Sequence, residues 1–213
     1  MSRSGSCLAS ALALSLLCAG VAEAAPLSLS PSPTAAALRR ADLLARVRAE
    51  GIALTFNLGG SRALGKAASE YDVGFPLSAT LGYQINLGNA TLTPQAMFEM
   101  SRWSASEGDT YGLMLVAAGG GELAYWLQHV PLSLWAALNL GIGDVSINGG
   151  DGGTSSKVGF AINVGWGLTY MLTSYIGAGL YMGVTKSFAN TDDPSGSLTF
   201  GFRLRAFYSL AGG

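Results

Sequence analysis

Charged residues are scarce in this sequence. Lys, Arg, Asp and Glu account for 12% of it, whereas soluble globular domains contain about 25%. Hydrophobic residues make up 49%, which excludes an intrinsically disordered chain, because disorder requires low hydrophobicity and high charge. The 12 basic and 13 acidic residues leave a net charge of −1, so the basic balance of a nucleic-acid-binding protein is missing. The composition favours a membrane protein, yet nothing beyond the N-terminal region resembles a spanning helix.

Cysteine, histidine and proline are scarce as well. Cys7 and Cys18 both precede residue 25, and His129 is the one histidine. A chain cleaved after residue 24 therefore has no disulfide, no thiol nucleophile and no thiolate metal ligand. A single histidine does not suffice for a transition-metal site. Seven prolines are too few for a collagen-like fibre. We expect neither a cofactor nor a bound metal.

Residues 1–24 have the organisation of a secretory signal peptide. Arg3 supplies the positive start, Leu8–Val21 is apolar, and an A-x-A sequence occupies positions 22–24. The apolar stretch is shorter than the roughly 20 residues of a transmembrane helix. Lipid attachment at Cys18 is an alternative that we disfavour, because a leucine precedes it where a small residue is required.

Residues 25–50 are predicted to form a Pro-rich linker and a short periplasmic helix. Thr34 can cap a helix that runs from about Ala35 to Glu50, and Gly51 can end it. Four arginines surround a loose apolar stripe on this helix. One interpretation is a helix that packs on, or trails from, the following domain. The other is a basic helix on anionic lipid headgroups, which the weak stripe disfavours.

From Gly51 onward, apolar residues recur with a period of two. Between Val73 and Leu87 every odd position is apolar, and every even position is glycine, proline or polar. This alternation predicts a long strand whose two faces lie in different environments. Seven further segments alternate similarly: Ile52–Leu58, Leu92–Met100, Tyr111–Leu127, Leu132–Ile142, Val158–Tyr170, Ile176–Val184 and Leu198–Leu210. The alternation falters at Gly143–Val145, where a bulge is one explanation.

The two faces of these strands are inverted relative to a soluble protein. The polar face consists mainly of Gly, Ser, Thr, Asn and Ala, which are too small to cover an outer surface, whereas the apolar face carries the bulk. This pattern is typical of a barrel in lipid, with apolar side chains outward and polar ones in the lumen. In hydrocarbon, only a closed sheet gives every backbone group of a strand a partner. We predict an all-β fold for residues 51–213: an eight-stranded antiparallel up-and-down transmembrane β-barrel, preceded by the short N-terminal helix.

The predicted connections alternate in length. Short turns fall at 88–89, 128–130 and 173, and longer polar loops fall near 61–72, 104–109, 148–156 and 189–196. Outer-membrane barrels have short periplasmic turns and longer outer loops, so both barrel termini are expected to be periplasmic. Lipid-facing aromatic girdles are expected at both interfaces. The outer girdle comprises Phe75, Tyr111, Phe160 and Phe200, and the periplasmic girdle comprises Tyr83, Tyr125, Tyr170 and Tyr208.

Four charged residues fall at lumen-facing positions of the predicted strands: Glu99, Glu122, Arg203 and Arg205. An eight-stranded lumen is just wide enough for side chains to fill it. Arginine and carboxylate pair through forked hydrogen bonds, and an unpaired buried charge is costly. We therefore predict an ion-pair network that plugs the lumen. The alternative is that this network is a gate, whose ion pairs rearrange to admit a small solute.

Three basic residues are predicted at the outer rim: Arg102, Lys157 and Lys186. Guanidinium and ammonium groups at this depth are suited to bind the phosphates of the outer-leaflet glycolipid. The alternative is that they are ordinary charges of an exposed rim. The three predicted short turns contain no charged residue.

The signal peptide, the eight alternating strands and the Arg/Glu lumen together resemble the small outer-membrane β-barrel proteins of the OmpA and OmpX kind. The resemblance covers residues 51–210. It implies the outer membrane of a Gram-negative bacterium, with lipid and lipopolysaccharide as the surroundings. The strand Gly201–Tyr208 is similar to the terminal signal that the barrel-assembly machinery reads, although the chain ends in Leu210-Ala211-Gly212-Gly213 and not in an aromatic residue.

The resemblance also bears on function. Some barrels of this size act on lipids with a serine and a histidine near the outer rim, but His129 falls in a predicted periplasmic turn. We therefore expect a monomer that is not an enzyme and that has a structural or surface-interaction role. A narrow pore or carrier for small solutes is the alternative.

Overall fold

The computed structural model describes residues 33–65, 68–106, 110–148, 154–189 and 195–210. The chain divides into two compact units, Met1–Leu38 and Arg39–Gly213, and the second contains all the strands described below. The predicted signal peptide and nearly all of the predicted linker lie outside the described residues. No helix within the described ranges is long and apolar enough to cross a membrane.

Eight strands follow a single α-helix in the described part of the chain. Consecutive strands pair antiparallel, and the first pairs with the last, so the sheet closes into a barrel. This confirms the predicted all-β, up-and-down barrel. The elements are α1 (Pro33–Val47), β1 (Gly51–Leu64), β2 (Phe75–Asn86), β3 (Ala90–Ser104), β4 (Tyr111–Trp126), β5 (Leu132–Asn148), β6 (Thr154–Met171), β7 (Ile176–Ser187) and β8 (Gly196–Ser209).

The two ends of the barrel differ. The connections β1–β2, β3–β4, β5–β6 and β7–β8 share one end, which we call the loop end. The connections β2–β3, β4–β5 and β6–β7 share the other, which we call the turn end, and the chain enters β1 and leaves β8 there. The β1–β2 connection contains a 3₁₀ turn, Ala68–Glu70.

The helix ends earlier than the sequence predicts. It stops at Val47, not Glu50, and Gln84 on β2 donates to the backbone carbonyls of Val47 and Ala49, which have no partner within the helix. Gly51 does not end the helix but begins β1. A Cβ at Gly51 would lie 2.1 Å from the carbonyl oxygen of Tyr208, so close approach of β1 to β8 requires the glycine there.

Six of the eight strands, all but β2 and β4, are longer at the loop end than predicted, and no bulge occurs at Gly143–Val145. The β4–β5 pairing keeps one register from Trp126↔Ser133 to Tyr111↔Asn148. Gly143 and Val145 are buried in the lumen, whereas Asp144 lies on the outer face. The alternation falters in the sequence because near the loop end the lumen becomes apolar and the outer face becomes polar. The chain itself continues as regular strand.

Apolar side chains fill both ends of the lumen. A cluster at the loop end contains Trp103, Met114 and Val145, and one at the turn end contains Val47, Trp126 and Phe207. A third cluster, around Trp135 and Tyr181, lies in the wall between them. The predicted polar lumen therefore holds for the middle of the barrel, while each end is closed by large apolar side chains.

Two adjacent glycines of β4 predict different responses to the same substitution. A Cβ at Gly120 would lie 2.0 Å from the carbonyl oxygen of Leu138, whereas at Gly119 the nearest heavy atom would be 3.9 Å away. We expect Gly120→Ala to lower the free energy of unfolding by roughly 1–3 kcal/mol, because the β4–β5 backbones must separate. Gly119→Ala is the matched control and should be close to neutral. Urea unfolding of the refolded barrel measures both, and equal effects would contradict the prediction.

Candidate functional site

The centre of the lumen holds a buried ion-pair cluster. Glu122 on β4 lies opposite Arg203 and Arg205, two residues apart on β8 and therefore on the same face of that strand. Arg203 Nη2 donates to Glu122 Oε2, and Arg205 Nη1 donates to Glu122 Oε1, each at 2.5 Å. All three side chains are at most 4% exposed. Each carboxylate oxygen thus receives one charged donor in a site buried from bulk solvent.

Neighbouring side chains hold both arginines in place. The guanidinium of Arg203 lies 3.9 Å from the centre of the Trp135 ring, which is within the range of a cation–π interaction. Arg205 Nη2 donates to Gln84 Oε1 at 2.9 Å. Gln84 Nε2 in turn donates to the carbonyls of Val47 and Ala49, both at 2.9 Å. A continuous chain of contacts therefore runs from Glu122 to the end of α1.

The end of α1 and the residues that follow it close the turn end. Val47 is 1% exposed within the apolar cluster there. Arg48 donates to the carbonyl of Leu127 at 3.1 Å and to the side chain of Asn89 at 3.2 Å. The amide of Leu210 donates to the carbonyl of Glu50. These contacts favour the first interpretation of this helix, in which its carboxy-terminal part packs on the barrel.

Glu99 lies apart from the arginines, which corrects its predicted place in the ion-pair network. Glu99 faces Val116 and Glu122 faces Thr93 across the β3–β4 pair, so the two glutamates occupy positions six residues apart along each strand. At about 3.3 Å per residue these backbone positions lie roughly 20 Å apart along the strand. The alternation of faces along each strand assigned both glutamates to the lumen, but alternation carries no information about how far along the barrel each one lies.

Neutral donors surround the Glu99 carboxylate. Thr185 donates to it at 2.9 Å, Asn163 at 3.0 Å, Ser197 at 3.2 Å and Ser101 at 3.5 Å. Among the described residues no arginine or lysine forms an ion pair with it. Glu99 therefore belongs to a polar layer of hydroxyl and amide groups, situated between the ion-pair cluster and the apolar cluster of the loop end. A narrow cavity of about 30 Å³ runs between this layer and the Arg203–Glu122 pair.

The three predicted rim residues do not converge on one site. Arg102 is exposed on the outer face of β3, with its guanidinium 4.6 Å from the centre of the Tyr111 ring. Lys186 on β7 donates to the hydroxyl of Ser195. Lys157 is exposed near the start of β6, at a position with lumen-facing parity. They occupy three different strands near the loop end.

The predicted aromatic girdles lie on the outer face of the barrel. Seven of the eight side chains are exposed: Phe75, Tyr83, Tyr125, Phe160, Tyr170, Phe200 and Tyr208. Tyr111 is half-buried, because Arg102 covers its ring. The phenylalanines lie toward the loop end and the four exposed tyrosines toward the turn end.

Sequence reasoning missed several residues of the lumen. Gln84, Asn163 and Thr185 connect the charged groups to the wall, and Trp135 stacks on Arg203. All four occupy lumen-facing positions in the alternation of their strands. A polar or large side chain at such a position was therefore the available signal. Among the described residues, no group of three or more His, Cys, Asp or Glu side chains is placed to hold a metal ion.

Removing the Glu122 charge should destabilise the barrel more than removing the Glu99 charge. Glu122→Gln leaves two buried arginines without a carboxylate, which we expect to cost about 3–5 kcal/mol. Glu99→Gln is the matched control, because it removes a charge whose partners are neutral donors and keeps one acceptor oxygen. The measurement is the temperature at which the folded form in unboiled SDS converts to the unfolded form. A larger drop for Glu99→Gln would contradict this assignment.

No family model and no curated protein matches the chain, but solved structures do. Neisserial surface protein A (NspA) matches with a TM-score of 0.59 and 16% identity, over 74% of this chain and 97% of that one. Ail, the attachment invasion locus protein of Yersinia pestis, matches with a TM-score of 0.51 and 16% identity, over 75% and 97%. The outer membrane enzyme PagL matches with a TM-score of 0.41 and 12% identity, over 74% and 99%.

These likenesses concern the fold. The chain has the eight-stranded fold of the small outer-membrane barrels of the OmpA and OmpX kind, as the sequence analysis expected. Identities of 16% transfer no activity and no binding partner to this chain.

Proposed function

We propose that this chain is a non-conducting, non-enzymatic barrel of the Gram-negative outer membrane, with a structural or surface-interaction role. The observation that carries the proposal is the filling of the lumen. The Glu122–Arg203–Arg205 cluster occupies its centre, and apolar clusters with buried tryptophans close the loop end and the turn end. An ion crossing this lumen would have to displace paired charges and then pass an apolar layer, which is costly.

The outer face of the barrel supports a membrane location. Large apolar side chains cover it, including Phe202 at 71% exposure, Val158 at 68% and Ile142 at 62%. Soluble monomers rarely expose contiguous apolar surface on this scale, whereas a bilayer requires it. Two solved structures that match with TM-scores above 0.5 are an Ail protein and a neisserial surface protein, which agrees with a place in the cell envelope.

The non-enzymatic part of the proposal rests on the position of His129. This histidine lies in the exposed β4–β5 connection at the turn end, far from the loop end, where an outer-leaflet lipid would meet the barrel. A serine nucleophile activated by this histidine therefore cannot be assembled at the loop end. Release of fatty acid from lipopolysaccharide or phospholipid by the purified protein would contradict this part.

The closed lumen predicts the outcome of a conductance measurement. Purified barrel in a planar lipid bilayer should show no single-channel openings, because the paired Glu122, Arg203 and Arg205 side chains and the two apolar clusters occupy the lumen. Reproducible openings in the wild type that change in Glu122→Gln would favour the alternative function, a narrow pore or carrier for small solutes. The polar layer around Glu99 is the feature that speaks for that alternative.

The orientation proposed here places the loop end outside the cell and both barrel termini in the periplasm. Both cysteines precede residue 25, so a chain cleaved after residue 24 contains no native cysteine. The labelling of an introduced cysteine then reports the position of that residue alone. We expect Ser106→Cys, at the loop end, to react with a membrane-impermeant maleimide on intact cells. Gln128→Cys, at the turn end, is the matched variant and should react only after the outer membrane is permeabilised. Labelling of Gln128→Cys on intact cells would overturn the orientation.

A further inference from the structure

Three buried polar atoms without a protein partner line the cavity of about 30 Å³ in the lumen. They are Asn57 Oδ1, Arg203 Nε and Trp135 Nε1. Their side chains are 9%, 2% and 6% exposed, so bulk solvent does not satisfy them. A buried donor or acceptor that stays unpaired costs free energy, and three such atoms around one cavity therefore indicate a shared partner.

The surrounding contacts prevent these atoms from finding partners by rotation. Asn57 and Arg203 are directly opposite each other in the β1–β8 pair. The amide nitrogen of Asn57 already donates to Ser78 at 2.8 Å, and the Nη2 atom of Arg203 is held by Glu122. Trp135 is fixed by its stacking on the Arg203 guanidinium. The partner must therefore come from within the cavity.

The chemistry of the three atoms selects a neutral partner. Arg203 Nε–H and Trp135 Nε1–H are donors, and Asn57 Oδ1 is an acceptor. A cation would face two donors and a guanidinium, and an anion would face the amide oxygen and the Glu122 carboxylate.

Water fits both the chemistry and the size. A water molecule accepts two hydrogen bonds and donates two, which matches two donors and one acceptor with one donation to spare. The cavity of about 30 Å³ exceeds the roughly 10–15 Å³ that one water needs and is far smaller than an organic solute requires.

We propose that this cavity is an internal water site, in which one or two waters bridge Asn57 of β1 to Arg203 of β8 and to Trp135 of β5. β1 and β8 are the first and last strands, so the water clamps the closing seam of the barrel from inside. It also fixes the Arg203 side chain, which otherwise is held by Glu122 and by stacking alone. The site goes beyond the proposed function and does not depend on it.

The test is a crystal structure of the wild type and of Asn57→Leu at a resolution that shows ordered water. The wild type should show solvent density within hydrogen-bond distance of Asn57 Oδ1 and Arg203 Nε. Asn57→Leu keeps the side-chain size but removes the acceptor, together with the donor to Ser78, so the bridge to position 57 should be lost. Thr80→Val is the matched control. Thr80 lines the same cavity, but it carries none of the three unpartnered atoms.

A second readout is the temperature of conversion of the folded form in SDS. It should fall by about 2–4 °C in Asn57→Leu relative to Thr80→Val. Density for an ion, a cavity without solvent density, or direct pairing of Asn57 with Arg203 would overturn the inference. A barrel that conducts but holds the ordered water would contradict the proposed function and leave this site intact.

Discussion

The closure of β1 on β8 is the constraint on which the structure depends. In hydrocarbon every backbone N–H and C=O needs a partner within the sheet, and only a closed sheet supplies one to each strand. The pairing runs without interruption from Gly51↔Ser209 to Leu64↔Gly196. At Gly59 and Gly201 a Cβ would lie 2.0 Å and 2.1 Å from a carbonyl oxygen across this seam. Small residues at the seam therefore allow the two strands to meet.

Closure also creates a lumen that the backbone alone leaves empty, and in a barrel of eight strands it is just wide enough for side chains to fill it. The filling is layered, with apolar clusters at the two ends and polar groups between them. The apolar ends exclude water, which strengthens the Glu122–Arg203 and Glu122–Arg205 pairs and raises the cost of breaking them. Gln84 extends these contacts to the carbonyls after α1, so the segment before the barrel becomes part of the same arrangement.

Period-two alternation predicted the strands, their number and the face of each side chain, because neighbouring residues of a strand point to opposite sides of the sheet. It assigned Glu122, Arg203 and Arg205 to the lumen correctly. It failed where the environment of a face changes along the strand. At Asp144 and Val145, near the loop end, the outer face becomes polar and the lumen face becomes apolar. This reversal looks like a bulge in the sequence, although the pairing register of β4 and β5 is unbroken. The predicted helix end was three residues too late, and the contacts of Gln84 with the carbonyls of Val47 and Ala49, which depend on a residue distant in sequence, could not be read from local pattern.

The sequence by itself determined the all-β class, the strand order and the direction of each side chain, because these follow from local periodicity and from the hydrogen-bonding demand of a strand in lipid. The tertiary structure alone decided which lumen residues meet. Depth in the barrel depends on strand register and tilt, and neither is encoded in parity. Register therefore places Glu122 between two arginines and leaves Glu99 among hydroxyl and amide groups. It likewise brings Asn57, Trp135 and Arg203, from three strands, to one cavity.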